Sequence, residues 1–456
     1  MRRRRRVLAT NENERLIDAT IARLAARPEA RAPAHAARRF ARKRASEFEP
    51  LDQPGATARR TPMKIAYVVP RYGLEVRGGA EHASRMLAER LTANGWDVHV
   101  FTTCALDART WSNHYPAAST DINGVSVHRY ASTAGRSPEF HDFASALLVN
   151  PATATDAECT RFMELQGPVC PDAIDAAVES DAQLLIFYPY LYSPTVDGVP
   201  RAGPRAVMHP AAHDEPALRL PIFRGVFSQP SGLVFQTFAE RDLCERMFGA
   251  ASTHHIVLGL GVDEYDPPAP GAGRREIGLG DEPFLLYVGR LEDGKGTGVL
   301  VELFAEYKAR HPGPLKLVLA GSSEQAPAAH SDVVTPGPVP EETKRALMAE
   351  CLAFVQPSFF EAFSLVLVEA WMAGAPALVN GTCGPLREHC ERSGGGLCFD
   401  SYASFDAALT RLVDDTRERS EMSRRGHAYV QRNFAWPSLI ARYEQFLTSV
   451  AVKARA

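Results

Sequence analysis

The chain has 456 residues, of which 45% are hydrophobic, 9% aromatic and 23% charged. That balance excludes wholesale disorder, a collagen-like repeat and a multi-span membrane protein. The net charge is −3, but residues 1–62 hold 16 Lys/Arg against 7 Asp/Glu, and the remaining 394 residues hold 35 against 47. A basic head on a mildly acidic body argues against a nucleic-acid binder, which carries its positive charge on the folded domain.

Residues 1–62 are rich in Ala, Arg and Pro. Arg2 to Arg6 resemble the start of a signal peptide, but Asn11 to Glu14 interrupt the apolar run of roughly 7–15 residues it needs. The segment is expected to be a basic, flexible extension that can touch anionic lipid headgroups. No stretch reaches the roughly 18 apolar residues of a membrane helix. The eight cysteines form no CxxC pair. A reduced cytoplasmic setting, against the inner face of a membrane, is therefore expected, without zinc.

At Met63 the texture changes. Lys64 to Val69 reads as a buried strand, Ala80 to Asn94 as a helix and Val98 to Thr102 as a second strand. Strand, helix, strand within forty residues is a βαβ unit and implies a parallel sheet. Apolar strands follow at 184–187, 206–208, 233–235 and 256–258. The first domain runs from 63 to 262. Prolines and glycines over 265–282 read as a linker. The pattern then restarts: strands at 284–288, 315–319, 352–355 and 375–379, and helices at 296–309, 341–349 and 365–372. Val430 to Ala435 closes a second domain, 263–436. A final helix runs from about Pro437 to Val450. The fold class is α/β, with two tandem Rossmann-like, doubly wound domains facing a cleft. In such sheets ligands bind beyond the carboxyl ends of the strands.

Four motifs fall at those ends. Gly78-Gly79-Ala80-Glu81 opens the first helix. It is either a tight turn or a place where a phosphate approaches backbone amides. Gly289-Arg290-Leu291 with Lys295-Gly296 follows the second domain's first strand, where two cations can neutralise a diphosphate. Glu361 and Glu369 form E-x7-E, with Glu361 in a loop and Glu369 on the helix that follows. The amides of Phe363, Ser364 and Leu365 would point from the helix start toward an anion. Glu369 lies among Val368, Ala370 and Trp371, so its carboxylate needs a partner or a ligand. Finally, His209 and His213-Asp214-Glu215 occupy a loop after a strand. Their spacing does not suit a metal, and His213 can donate to a reacting sugar.

Together these motifs resemble the family 4 glycosyltransferases, retaining enzymes of the GT-B fold. The resemblance covers roughly 63 to 450, and its most characteristic block runs from Glu361 through Glu369 to Pro376. It implies that Arg290 and Lys295 bind a donor diphosphate, that Glu361 contacts the donor sugar and that Glu369 contacts the ribose. It also implies that Gly79 lies near the phosphates, His213 beside the sugar's reacting face and Gly337 near the nucleobase. Relatives commonly have glycine where Ala362 and Ser364 stand. Both residues keep their backbone N–H, so phosphate holding should survive, while the sugar pocket can differ. The final helix is expected to cross back onto the first domain.

The implied reaction is metal-independent, cofactor-free transfer of a sugar from a nucleotide sugar to a sugar or lipid-linked acceptor, in surface polysaccharide or glycolipid synthesis. A sugar-nucleotide epimerase and a non-catalytic nucleotide-sugar scaffold share the architecture. An epimerase would turn over donor without acceptor, and a scaffold could dispense with the phosphate cations.

Overall fold

A computed structural model describes residues 63–76, 78–266, 268–323 and 330–455. The basic extension expected over 1–62 lies outside them.

The first domain is built on a sheet of eight strands: β1 (Lys64–Val69), β2 (Asp97–Thr103), β3 (Ser119–Ile122), β4 (Val125–Tyr130), β5 (Leu184–Phe187), β6 (Ala206–Met208), β7 (Gly232–Phe235) and β8 (His255–Val257). Their spatial order is β3-β4-β2-β1-β5-β6-β7-β8. All neighbours are parallel except β3 and β4. The central strands are buried from end to end, and for that reason they are continuously apolar rather than alternating.

The second domain repeats the plan with β9 (Phe284–Val288), β10 (Lys316–Ala320), β11 (Val333–Gly337), β12 (Ala353–Gln356), β13 (Ala377–Asn380) and β14 (Gly396–Phe399). Their order is β11-β10-β9-β12-β13-β14, all parallel. In each sheet the strand order reverses beside the first strand, at β1 and at β9. A ligand crevice forms where the order reverses.

Six helices matter for the site: α1 (Gly79–Ala93), α2 (Phe238–Phe248), α3 (Glu341–Glu350), α4 (Leu365–Met372), α5 (Gly384–Ser393) and α6 (Trp436–Arg455). The chain crosses between domains twice, side by side: Val262 N–H donates to the Phe434 carbonyl at 3.0 Å. Gly259, at φ +77, faces Phe434, where a Cβ would come within 2.5 Å of the ring. Helix α6 then packs on the first sheet. Tyr443 Oη lies 3.1 Å from Tyr67 Oη and 2.7 Å from His209 Nε2. The last helix therefore lies against β1 and the end of β6. One core cluster includes residues of both sheets and of α6.

Two features depart from the sequence reading. The β3–β4 hairpin was not anticipated. Its turn is Asn123-Gly124, both at positive φ (52 and 83), which is the type I′ pairing that fits strand twist. The 265–282 linker contains a short helix, Ala272–Glu276, whose amides at Gly273 and Arg274 donate to the Glu350 carboxylate at 3.1 and 3.0 Å. That segment is part of the second domain's packing, because Gly273 sits directly against Leu347. The second domain ends with a helix, Thr416–Phe434.

Burial holds His209 and His389 at about 3, well below the ordinary histidine value. Both stay neutral in the fold while the unfolded chain takes up a proton near pH 6.5. Their contribution is therefore complete above that pH and is lost as pH falls from about 6.5 toward 3, at about 1.4 kcal/mol per pH unit for each. Melting curves between pH 7 and 4 should show a shallower acid decline for His209→Gln than for the wild type. Parallel declines would show that His209 protonates freely in the fold.

Candidate active site between the two domains

The loop from Pro357 to Ser364 leaves the carboxyl end of β12 and starts α4. Glu361 sits in it at 11% side-chain exposure, and Lys295 meets it with Nζ 2.7 Å from Oε1. Lys295 reaches that point because the short turn Asp293–Lys295 ends on Gly296, at φ +69. A Cβ on Gly296 would come within 2.5 Å of the Pro357 carbonyl, so the Lys295 turn and the Glu361 loop require glycine to lie so close. Gln356 at the end of β12 adds a second donor to the same Oε1 at 3.0 Å. Both donors meet Oε1, and Oε2 has no hydrogen-bond partner among the described residues.

Glu369 lies on α4, and its partner is Lys344 of α3, with Nζ 3.0 Å from Oε2. Lys344 also meets Glu341 at 2.9 Å. Burial pushes the Glu369 carboxyl up, against the pull of Lys344. The two carboxylates hold Lys344 above its usual value despite burial. The field of Lys344 also reaches His82 on α1 of the first domain.

At the start of α4, Ser364 adopts φ 73, ψ 76. This left-handed conformation is the one glycine prefers. Among the described residues no hydrogen bond engages the amides of Phe363, Ser364 or Leu365. Gly79 has open space where a Cβ would stand, and its φ is helical. Nothing in the chain itself demands glycine there. Gly337, at φ +81, ends β11, and its carbonyl accepts from Gly321 N at 2.9 Å.

From the first domain, His213 faces this loop. Its ring centroid is 6.0 Å from that of Phe360. Its Nδ1 lies 3.4 Å from Glu215 Oε1, which accepts from Tyr190 Oη at 2.7 Å. The structure thus brings Lys295, Glu361, Ser364 and His213 to one interdomain gap. The guanidinium of Arg290 is 70% exposed and pairs with Glu292 at 3.1 Å. Among the described residues, no group of three or more His, Cys, Asp and Glu side chains could hold a metal ion. No helix among them is long and apolar enough to cross a membrane.

Three positioning residues escaped the sequence reading. Lys344 stands 25 positions from Glu369 and carries no local signal. Glu240 is fully buried on α2. Its carboxylate accepts from Ala212 N at 2.8 Å and Gln236 N at 2.6 Å, and so holds the loop that carries His213. Burial pushes this carboxyl up to about 8, against several backbone amides. Thr237-Phe238-Ala239-Glu240 has the spacing of a helix-capping box, a signal that could have drawn attention to it. Glu388 of α5 crosses to the first domain and accepts from the amides of Phe238 and Ala239 at 3.2 and 2.6 Å.

Residues 273–429 match the family model described as Glycosyl transferases group 1. The chain is 28% identical over 243 residues to D-inositol 3-phosphate glycosyltransferase of Rhodococcus erythropolis, a match covering 49% of this chain and 54% of that one. It is 27% identical over 355 residues to the enzyme of the same name from Nocardia farcinica, covering 69% and 78%. The chain thus spans about half the length of the first of these relatives. In fold it is similar to sucrose-phosphate synthase of Thermosynechococcus elongatus, with a TM-score of 0.65, 18% identity and coverage of 86% of this chain and 100% of that one. The match to glycosyl transferases group 1 lies within the second domain, and the two-sheet architecture of the chain is the GT-B fold.

Proposed function

We propose that the protein transfers a sugar from a nucleoside-diphosphate sugar to a hydroxyl acceptor, with retention at the anomeric carbon and without a metal. The observation that carries this reading is the ion pair of Lys295 with Glu361, set beside the unengaged amides that start α4 and opposite His213. A cation, a row of backbone N–H groups and a carboxylate with one free oxygen suit a diphosphate joined to a sugar. The names of the relatives, which are glycosyltransferases, point the same way.

In this reading the bond between the anomeric carbon and the diphosphate oxygen breaks, and its electron pair leaves with the nucleoside diphosphate. Lys295 Nζ and the amides of Phe363, Ser364 and Leu365 stabilise the charge that grows on the phosphate. The acceptor oxygen bonds the anomeric carbon from the face the diphosphate leaves. Its proton passes to the departing phosphate oxygen. Glu361 Oε2 accepts from hydroxyls of the donor sugar. Its other oxygen is held by Lys295 and Gln356, which suits orientation rather than attack. Glu369 accepts from the ribose, Gly79 lies near the phosphates, and Gly337 borders the base. His213 lies at the sugar's reacting face. Arg290 reaches the diphosphate by exchanging Glu292 for phosphate, which its exposure permits. Acceptors in polysaccharide or glycolipid synthesis, with the basic extension against anionic lipid, complete the proposal.

Thermal melting with UDP-, GDP-, ADP- and dTDP-sugars tests the reading. A ligand at 100 times its dissociation constant should stabilise the fold by roughly 2.7 kcal/mol. Stabilisation by none of them would remove the proposal. With the donor so identified, Lys295→Ala should lower transfer by about 10²–10³, the usual consequence of losing one group that stabilises developing charge, while the fold persists. Turnover equal to the wild type would exclude Lys295 from the site. Glu240→Ala frees the amides of Ala212 and Gln236. It should lower kcat at least roughly tenfold, about 1.4 kcal/mol, while nucleoside-diphosphate affinity stays unchanged. An unchanged kcat would show that Glu240 has no part in placing His213.

A further inference from the structure

On the first domain's side of the gap lies a cluster that the proposed donor site does not use. Trp111 is 1% exposed and sits at φ 57. An aromatic residue in the left-handed region carries strain of order 1–3 kcal/mol, which persists only where the surroundings enforce it. Here three backbone segments stack to enforce it. Arg136 N donates to the Thr110 carbonyl at 2.8 Å, and Val169 N to that of Ala134 at 2.9 Å. A Cβ on Gly135 would overlap the Thr110 carbonyl.

Two guanidinium groups share the Trp111 indole. Arg71 Cζ lies 5.4 Å from the ring centroid and Arg136 Cζ 5.9 Å. Their situations differ. Arg71 is paired with Glu81. Arg136 has no carboxylate within ion-pair distance among the described residues. The acid whose field reaches it, Asp107, instead accepts from the amides of Arg109 and Thr110, both at 2.9 Å. Arg136 also lies over Phe140 at 4.9 Å and donates Nε to the Gln166 carbonyl at 3.3 Å. Its Nη atoms make no hydrogen bond among the described residues. Half-buried on two rings, it has lost part of its hydration without gaining an anion. Burial accordingly pulls its guanidinium below the usual arginine value. Such a cation recovers its lost hydration by binding a charged group.

The cluster adjoins the reacting centre. Tyr192 packs edge-on against Trp111 at 5.0 Å. Its phenol, pushed up to about 12 by burial, feels the charges of Arg136 and of Glu215, the residue beside His213. At neutral pH it is a protonated donor, and its hydroxyl has no hydrogen-bond partner among the described residues.

We infer that Arg136 and Tyr192 form an acceptor subsite, and that the acceptor bears a phosphate group, held by the Arg136 fork while its hydroxyl lies at His213. This rests on the reading of the protein as a glycosyltransferase. The shared chemistry is a phosphate ester, carried either by a soluble sugar or by a lipid headgroup.

Calorimetry on the full chain tests it with two pairs of probes: glucose 6-phosphate against glucose, and phosphatidylcholine vesicles with and without phosphatidylinositol. At least one phosphate-bearing partner should bind tenfold or more tightly than its neutral counterpart, and the responding pair identifies the source. Arg136→Gln should weaken that binding about tenfold to a hundredfold, and Arg136→Lys, which keeps the charge without the fork, by less. Lys295→Ala should leave it intact. Equal binding of phosphorylated and neutral partners, or loss in Lys295→Ala with retention in Arg136→Gln, overturns the subsite. Nucleoside-diphosphate binding in the same variants reports separately on the donor site: its absence from the wild type sinks the transferase reading, and its survival beside failed phosphate binding sinks the subsite alone.

Discussion

Whatever the gap between the sheets can do depends on where the chain crosses it. Both crossings pass through one point, where Val262 bonds to Phe434. Gly261 faces the Trp436 ring, so a side chain there would wedge the crossings apart. Because the strands at the centre of both sheets are parallel, fixing one point between them leaves their carboxyl ends to meet elsewhere. They meet along a second line of contact. Thr237 Oγ1 donates to the Ala362 carbonyl at 3.1 Å, one residue from Glu361. The Glu388 carboxylate covers the start of α2, where unpaired amides and the helix dipole favour an anion. The loops bearing Glu361 and His213 are therefore placed by the same interface.

Within that frame, acidic side chains organise the site, and each solves the cost of burial differently. Glu361 takes a lysine and a glutamine on one oxygen. Glu369 shares a lysine with Glu341. Among the described residues Glu240 and Glu388 have no lysine in contact and lean on backbone amides, with the charge of Arg392 also acting on Glu388. A carboxylate held by fixed amides cannot reorganise, and a loop tied to it keeps its shape when charge moves nearby. This is the physical content of preorganisation: dipoles set before the reaction need not turn during it.

Much of the fold was legible because parallel strands buried on both faces announce themselves as apolar runs. β1, β5, β6, β9 and α4 stand where periodicity puts them. The E-x7-E spacing was also legible, since loop and helix are contiguous in sequence. What escaped is what depends on distant partners. Lys344 is an ordinary exposed-looking lysine until α3 and α4 pack together. Arg136 is one arginine among many until Trp111 and Phe140 close around it. The hairpin at Asn123-Gly124 was missed for another reason: its edge strand is polar and exposed, so the turn, not the strand, carried the signal. The helix Ala272–Glu276 was hidden by surrounding glycines and prolines, whose breaking tendency a few contacts with α3 override.

Ser364 shows how a strained backbone position can be internally compensated. Where glycine would adopt a left-handed conformation freely, serine bears strain of order 1–3 kcal/mol. Its hydroxyl, however, accepts from Gln356 Nε2 at 3.1 Å, and the same nitrogen donates to Glu361 Oε1. One amide thus ties the start of α4 to the carboxylate in the loop before it. With glycine at 364, Gln356 would keep only its bond to Glu361 and could turn about it. With serine, the orientation of Gln356 is fixed from two sides, and that of Glu361 follows. The strained residue and the carboxylate are one unit, so a substitution at either position should disturb both.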